Sequence, residues 1–141
     1  MNGLITETHR KENILNQFLK KLVKDNYTFE NPTSGNKELI WCHFKKENEC
    51  KVYSTEELFK SQLKIDNPVY FYDEFTEELF LTDFEDVRRF INGLEAWDDV
   101  DAEIFDDTFN WVIAVTHEDI SKVLGLSIAI DEYDYEKDMM Q

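Results

Sequence analysis

Glu103-Ile104-Phe105-Asp106-Asp107-Thr108-Phe109-Asn110-Trp111-Val112-Ile113-Ala114-Val115-Thr116 is the stretch on which the fold turns. It is dense in aromatic and β-branched residues, which suit a pleated, half-buried surface. Phe109, Trp111, Ile113 and Val115 fall on alternate positions, so they are expected to face a core while Asn110 and Thr116 face outward. Val112 and Ala114 occupy the second face, which must then be partly covered as well. With Glu103–Asp106, Asn110–Thr116 and Lys122–Ile130 separated by short polar connections, the last third of the chain reads as a C-terminal β-meander.

Upstream, the period changes from two to nearly four. Ile14, Leu15, Phe18, Leu19, Leu22 and Val23 form one apolar stripe with Lys20, Lys21 and Lys24 outside it, which predicts an amphipathic helix over 8–25. After the turn-like Asn31–Asn36, the run Leu39-Ile40-Trp41-Cys42-His43-Phe44 is short and rich in β-formers, and so predicts a strand. A second strand around Lys51-Val52-Tyr53 is expected to pair with it through the polar loop Lys45–Glu49. Ser54 with Glu57 has capping-box form and opens a short helix over 55–64. Pro68–Tyr72 reads as a strand start. Thr82 with Glu85 repeats the capping signature before Phe84, Val87, Ile91 and Leu94, and Gly93 closes a helix over 83–94. The expected fold is therefore α+β over residues 1–141 as a single domain: a mostly antiparallel sheet of about five strands with three helices packed on one face. Residues 131–141 read as a flexible acidic tail.

Composition bounds the function. The chain has 141 residues, 42% of them hydrophobic and 14% aromatic, enough to fill a core despite a net charge of −16. That charge is lopsided: residues 1–66 carry 11 Lys and Arg against 10 Asp and Glu, and residues 67–141 carry 4 against 21. Such a field repels nucleic acid and anionic membranes and favours a basic protein as long-range partner. The N-terminal Met1–Glu7 lacks the basic-then-apolar order of a secretory signal, and no apolar run approaches the roughly 20 residues of a membrane span, so a cytoplasmic location is expected. Cys42 and Cys50 are spaced as neither a redox pair nor a zinc knuckle and read as reduced core thiols. The sequence leaves the oligomeric state open.

No constellation names a reaction. The four glycines, at 3, 35, 93 and 125, make neither a phosphate loop nor a nucleophile elbow, and no cofactor is expected. His117-Glu118-Asp119 offers an imidazole beside carboxylates, but neighbours on a strand point to opposite faces, and a turn with His117 at its edge is the simpler reading. The densest feature is Glu95–Asp107, which packs seven carboxylates around Trp97. As a calcium loop it fails, because counting from Asp99 puts Ile104 where the turn glycine belongs and Asn110 where the bidentate acid belongs. Its self-repulsion is relieved by something cationic, so the expected field comes from Asp98, Asp99, Asp101, Glu103, Asp106 and Asp107. Trp97, Tyr133 and Tyr135 are the expected aromatic anchors. A solvated loop and a frayed terminus are the bland readings of the same residues.

The acidic, aromatic-rich chain with Phe105–Glu118 resembles small bacterial proteins grouped with the immunity proteins of polymorphic toxin systems. The resemblance implies a cytoplasmic protein that neutralises a cognate toxin by covering its active site, and it carries over no functional residue. Charge argues the same way independently: nuclease toxins are basic in order to hold phosphates, and opposite charge speeds association. The function expected is thus that of a non-enzymatic acidic inhibitor. Two alternatives are a phage-type DNA mimic that binds a host DNA enzyme, and a small metal-assisted hydrolase using the 99–107 acids.

Overall fold

The meander forms, and the rest of the sheet is built on it. In chain order the elements are α1 (Thr8–Phe18), continued by a π-helical turn (Leu19–Val23), a 3-10 turn (Ile40–His43), β1 (Lys51–Ser54), α2 (Thr55–Lys60), β2 (Val69–Asp73), β3 (Glu78–Thr82), α3 (Phe84–Asn92), β4 (Ala102–Phe105), β5 (Val112–Val115) and β6 (Ile120–Leu124). The structure is a computed structural model that describes residues 1–23, 39–44 and 49–134. All six strands pair antiparallel in one sheet, in the order β1-β6-β5-β4-β2-β3. The fold is α+β, as the sequence predicts, with six strands in place of about five.

The helices, however, cover both faces of the sheet. On the first face, Ile14, Leu15 and Phe18 of α1 pack with Tyr72, Phe105, Val112 and Ala114, and the Phe18 and Phe105 rings stack at 4.2 Å. On the second, Leu58 and Phe59 of α2 and Phe84, Val87 and Ile91 of α3 pack with Phe71, Ile104, Ile113 and Val115. The cause lies in the central strands: β4 and β5 are buried at all four positions each, so alternation supplies two apolar faces, and each needs a cover. Val112 and Ala114 are therefore fully rather than partly buried, and Thr116 turns inward, its hydroxyl donating to the Ile120 carbonyl at 2.8 Å.

Three local expectations change. The run Leu39–Phe44 is a 3-10 turn, not a strand. Its Cys42 and Phe44 amides are satisfied at short range by the carbonyls of Leu39 and Trp41, and Ile40, Trp41 and Phe44 are buried against the first face instead of joining the ladder. β1 consequently pairs with β6, not with this run. β3 was absent from the expected elements, because the turn before it has no Gly or Pro and places Glu77 at φ 58°. The third meander strand stops at Leu124, where Gly125 turns the chain at φ 79°. The cap of α3 is Asp83, which accepts from the Asp86 amide, while Ser54 caps α2 by accepting from Glu57 as the spacing predicts. Residues 24–25 of the expected first helix, the turn Asn31–Asn36 and most of the loop Lys45–Glu49 lie outside the described residues.

Both edges of the sheet are covered locally. Leu4 bridges to Phe80 of β3, flanked by backbone bonds from Ile5 to Leu79 and from Leu81 to Gly3. At the other edge the Tyr133 amide donates to Val52 of β1 at 2.8 Å.

Candidate functional site

Strand direction sorts the acidic stretch into two separate places. β4 runs between Asp101 and Asp106, and at about 3.3 Å per residue it sets them roughly 16 Å apart along the sheet. Asp101 shares one end of the sheet with the β2–β3 turn and the β5–β6 turn, since Glu74 donates its amide to the Asp101 carbonyl and Asp73 lies opposite Ala102, and Trp97, Asp98 and Asp99 lie in the loop that leads into this end of β4. Asp106 and Asp107 lie at the other end. There Asp106 is 3% exposed and spent locally, its Oδ1 accepting from the amide (3.0 Å) and hydroxyl (2.5 Å) of Thr108. Lys21 adds a cation at that end, donating to the Thr108 carbonyl and the Asn110 side chain.

Glu103 also departs from expectation. It sits mid-strand on the first face with 0% exposure, so it contributes nothing to a surface field. Tyr133 is half-buried beside β1, three strands from β4, and does not adjoin Trp97. Tyr135 lies outside the described residues. The expected patch therefore reduces to Trp97, Asp98, Asp99 and Asp101, with Asp107 exposed but distant.

What replaces it is drawn from three loops. Residues 73–78, 95–101 and 116–119 hold ten carboxylates and no Lys or Arg. Two large aromatics stand bare in them: Phe75 is 92% exposed and Trp97 is 77% exposed. The reading of the sequence missed Phe75. Its signal was a single aromatic inside the wholly polar run Asp73–Glu78, legible only once β2 and β3 are known to flank a turn. That turn is fixed by Asp73, whose Oδ1 accepts from the amides of Phe75 (2.9 Å) and Thr76 (3.2 Å).

Beneath this surface lies a polar constellation. His117 is in a turn, as expected, yet it has a partner that the spacing does not reveal. Asp101 accepts from His117 through its backbone amide (3.0 Å) and through Nδ1 (2.9 Å), and from Trp41 Nε1 (2.8 Å). The hydrogen bond from Asp101, more than the opposing effect of burial, raises the His117 pKa above its ordinary 6.5. Glu103 is pushed well above the usual carboxyl range, first by burial and then by the neighbouring charge and hydrogen bond of Glu74. Glu74 in turn accepts from the Ile40 amide at 2.9 Å.

Among the described residues no group of three or more His, Cys, Asp or Glu is placed to hold a metal ion, so the hydrolase alternative has no metal centre in them. Grooves of about 690 and 740 Å³ lie beside α2, and neither is lined by Trp97, Asp101, Glu103 or His117. Cys50 is buried as expected, whereas Cys42 is exposed. No helix among the described residues is long and apolar enough to cross a membrane. Compared with known proteins, the chain matches no family model, no curated protein and no solved structure.

Proposed function

We propose that this protein is a non-enzymatic inhibitor of the immunity type, acting in the cytoplasm, that masks a basic protein with the end of its sheet carrying Phe75 and Trp97. The observation that carries this reading is the pair of bare aromatics set among carboxylates with no compensating lysine or arginine in the same loops. Large exposed aromatics are what an interface uses as anchors, and carboxylates around them steer and orient a cationic partner. An arginine or lysine side chain of that partner gains twice there, from the ring face and from the acids beside it. The alternative of a DNA mimic calls for a continuous row of charge, whereas here the acidic stretch is interrupted by the buried strand β4.

The test compares three baits in capture from native host lysate at low and moderate salt: the unmodified chain, a Phe75→Ser/Trp97→Ser variant, and an Asp106→Asn/Asp107→Asn variant. A basic protein is expected on the first and third baits and not on the second, and its own activity should fall when the unmodified chain is added. Equal recovery on all three baits, or inhibition insensitive to Phe75 and Trp97, sinks the reading.

A further inference from the structure

We infer that His117 is a proton-operated switch on the acidic end of the sheet: with both ring nitrogens protonated it answers the charge of Asp101 from within the protein, and a cationic partner seats tightly only when the second proton has left. The inference rests on the proposed role of this surface as the seat of a basic partner and names its regulation. What carries it is the way Asp101 holds the ring. Nδ1 lies 2.9 Å from Oδ1 and 3.1 Å from Oδ2 of Asp101, and Oδ1 also accepts from the His117 amide at 3.0 Å and from Trp41 Nε1 at 2.8 Å. An ionised carboxylate only accepts, so Nδ1 carries a hydrogen in either state of the ring. Nε2 makes no hydrogen bond among the described residues, and the His117 side chain is 44% exposed against 18% for Asp101. The proton that titrates therefore enters and leaves at Nε2, on the accessible side. The charge changes by one unit while every bond that fixes the ring to the fold is kept.

That unit of charge falls in the acidic surface itself. The loops 73–78, 95–101 and 116–119 hold ten carboxylates and no Lys or Arg, so the imidazolium is the one cation that their own side chains generate. Asp101 and Asp99, from the segment that leads into β4, and Glu118, from the same turn as His117, all favour its proton. Asp119 follows in that turn. From the β2–β3 turn, Glu74 donates its amide to the Asp101 carbonyl, and Lys11 of α1 reaches the Glu77 carbonyl at 3.2 Å. The 3-10 turn presents the Trp41 ring edge-on to the imidazole at 5.7 Å. Lys122 of β6 lies over that indole at 4.9 Å, its amine directed to the carbonyls of Trp41 and Phe44. Glu103 adjoins Asp101 within β4 and holds a proton of its own, so the test must separate the two groups.

The sign of the effect follows from the charges. In the free protein the hydrogen bond from Asp101 and the acids around it hold the second proton on His117 to a higher pH than usual. A partner's lysine or arginine brought among the same acids repels the imidazolium and competes with it for them, so binding drives the proton off. By reciprocity, the partner binds more tightly as pH rises through the pKa of the free protein. A like charge brought close moves a pKa by on the order of one unit, which corresponds to about tenfold in affinity.

The test uses an arginine hexapeptide as the cationic probe, at about 20 mM salt, where exposed charges are little screened. His117 is titrated through its ring hydrogens by NMR with and without saturating peptide, its signal identified by its loss in His117→Asn. The midpoint should fall by about one unit when the peptide is bound, and the unmodified protein should bind the peptide about tenfold more tightly at pH 8 than at pH 5.5. His117→Asn, which keeps a donor for Asp101, should bind several-fold more tightly than the unmodified protein at pH 5.5 and equally at pH 8, a comparison in which any contribution of Glu103 cancels. A His117 midpoint that bound peptide leaves unmoved, equal affinities of the two proteins at pH 5.5, or no peptide binding at either pH overturns the switch. Failure of the lysate capture alone, with the peptide results as expected, removes the inhibitor role and leaves the proton linkage to cations standing.

Discussion

Gly125 lets β6 end where it does. Its φ of 79° is open to glycine at no steric penalty, and a Cβ built there would stand 2.2 Å from the Asn110 carbonyl oxygen and 3.0 Å from Trp111 Cα. Both neighbours are backbone and cannot swing aside. Gly125→Ala is therefore expected to destabilise the protein by about 2 kcal/mol or more, from left-handed strain and the forced separation of β5 from β6. Urea unfolding of the two proteins measures it, and a change below about 0.5 kcal/mol, the usual scatter of surface substitutions, would show that the turn is not under this constraint. The same scale explains why the site was only half legible. Residue type marks Asp98 and Asp99 correctly as surface charge, but it marks Glu103 and Asp106 just as strongly, and both are buried. A carboxylate announces charge; only its strand phase and its local donors say whether that charge reaches solvent.

At the level of elements, α2 has six residues and is too short to persist alone. Ser54 holds its start, and Arg88 of α3 holds its end, donating from Nη1 to the carbonyls of Phe59 and Ser61 at 2.8 Å each and from Nη2 to that of Leu63. The guanidinium also lies 5.2 Å above the Phe84 ring, and Asn92 adds a bond to Phe59 at 3.0 Å. Replacing Arg88 with Met keeps much of the stem packing and removes every donor. It should cost about 2 to 3 kcal/mol, the range for charge-assisted bonds whose buried partners are left unpaired, and the α2 amides should lose exchange protection before the sheet does. Loss of stability without selective fraying of α2 would assign Arg88 a different role. The elements that the sequence predicts correctly are those with local signals: the stripe of α1, the Ser54 cap, and the period of α3 closed by Gly93. Those it missed depend on distant groups. Leu39–Phe44 has strand composition, yet the Ile40 amide is met by Glu74, 34 residues away, and the hairpin turn before β3 uses glutamate where glycine would have signalled it.

Across the whole molecule, charge opposes folding and pH adjusts the opposition. At −16 the chain repels itself, so salt alone should stabilise it: raising NaCl from 10 mM to 0.5 M shortens the screening length from about 30 Å to a few ångströms and should raise the melting temperature by several degrees. Two folded-state groups point the same way with pH. His117 and Glu103 both have pKa values raised on folding, from 6.5 and 4.5, so each contributes stability that is fully present below its unfolded value and is lost as pH rises through its folded one. Self-repulsion also grows as acids ionise. Stability should therefore decline as pH rises above about 4.5, and high salt should flatten the repulsive part and weaken the step of the largely exposed His117, while leaving that of the buried Glu103 carboxyl, which is poorly screened. His117→Asn retains a donor for Asp101 without a titrating ring and should erase the decline that begins near 6.5, while Glu103→Gln should erase the one that begins near 4.5. Melting curves at 0.5 M NaCl across that range separate the two, and a stability that climbs between pH 6 and 8 would mean that neither proton is held as the geometry requires.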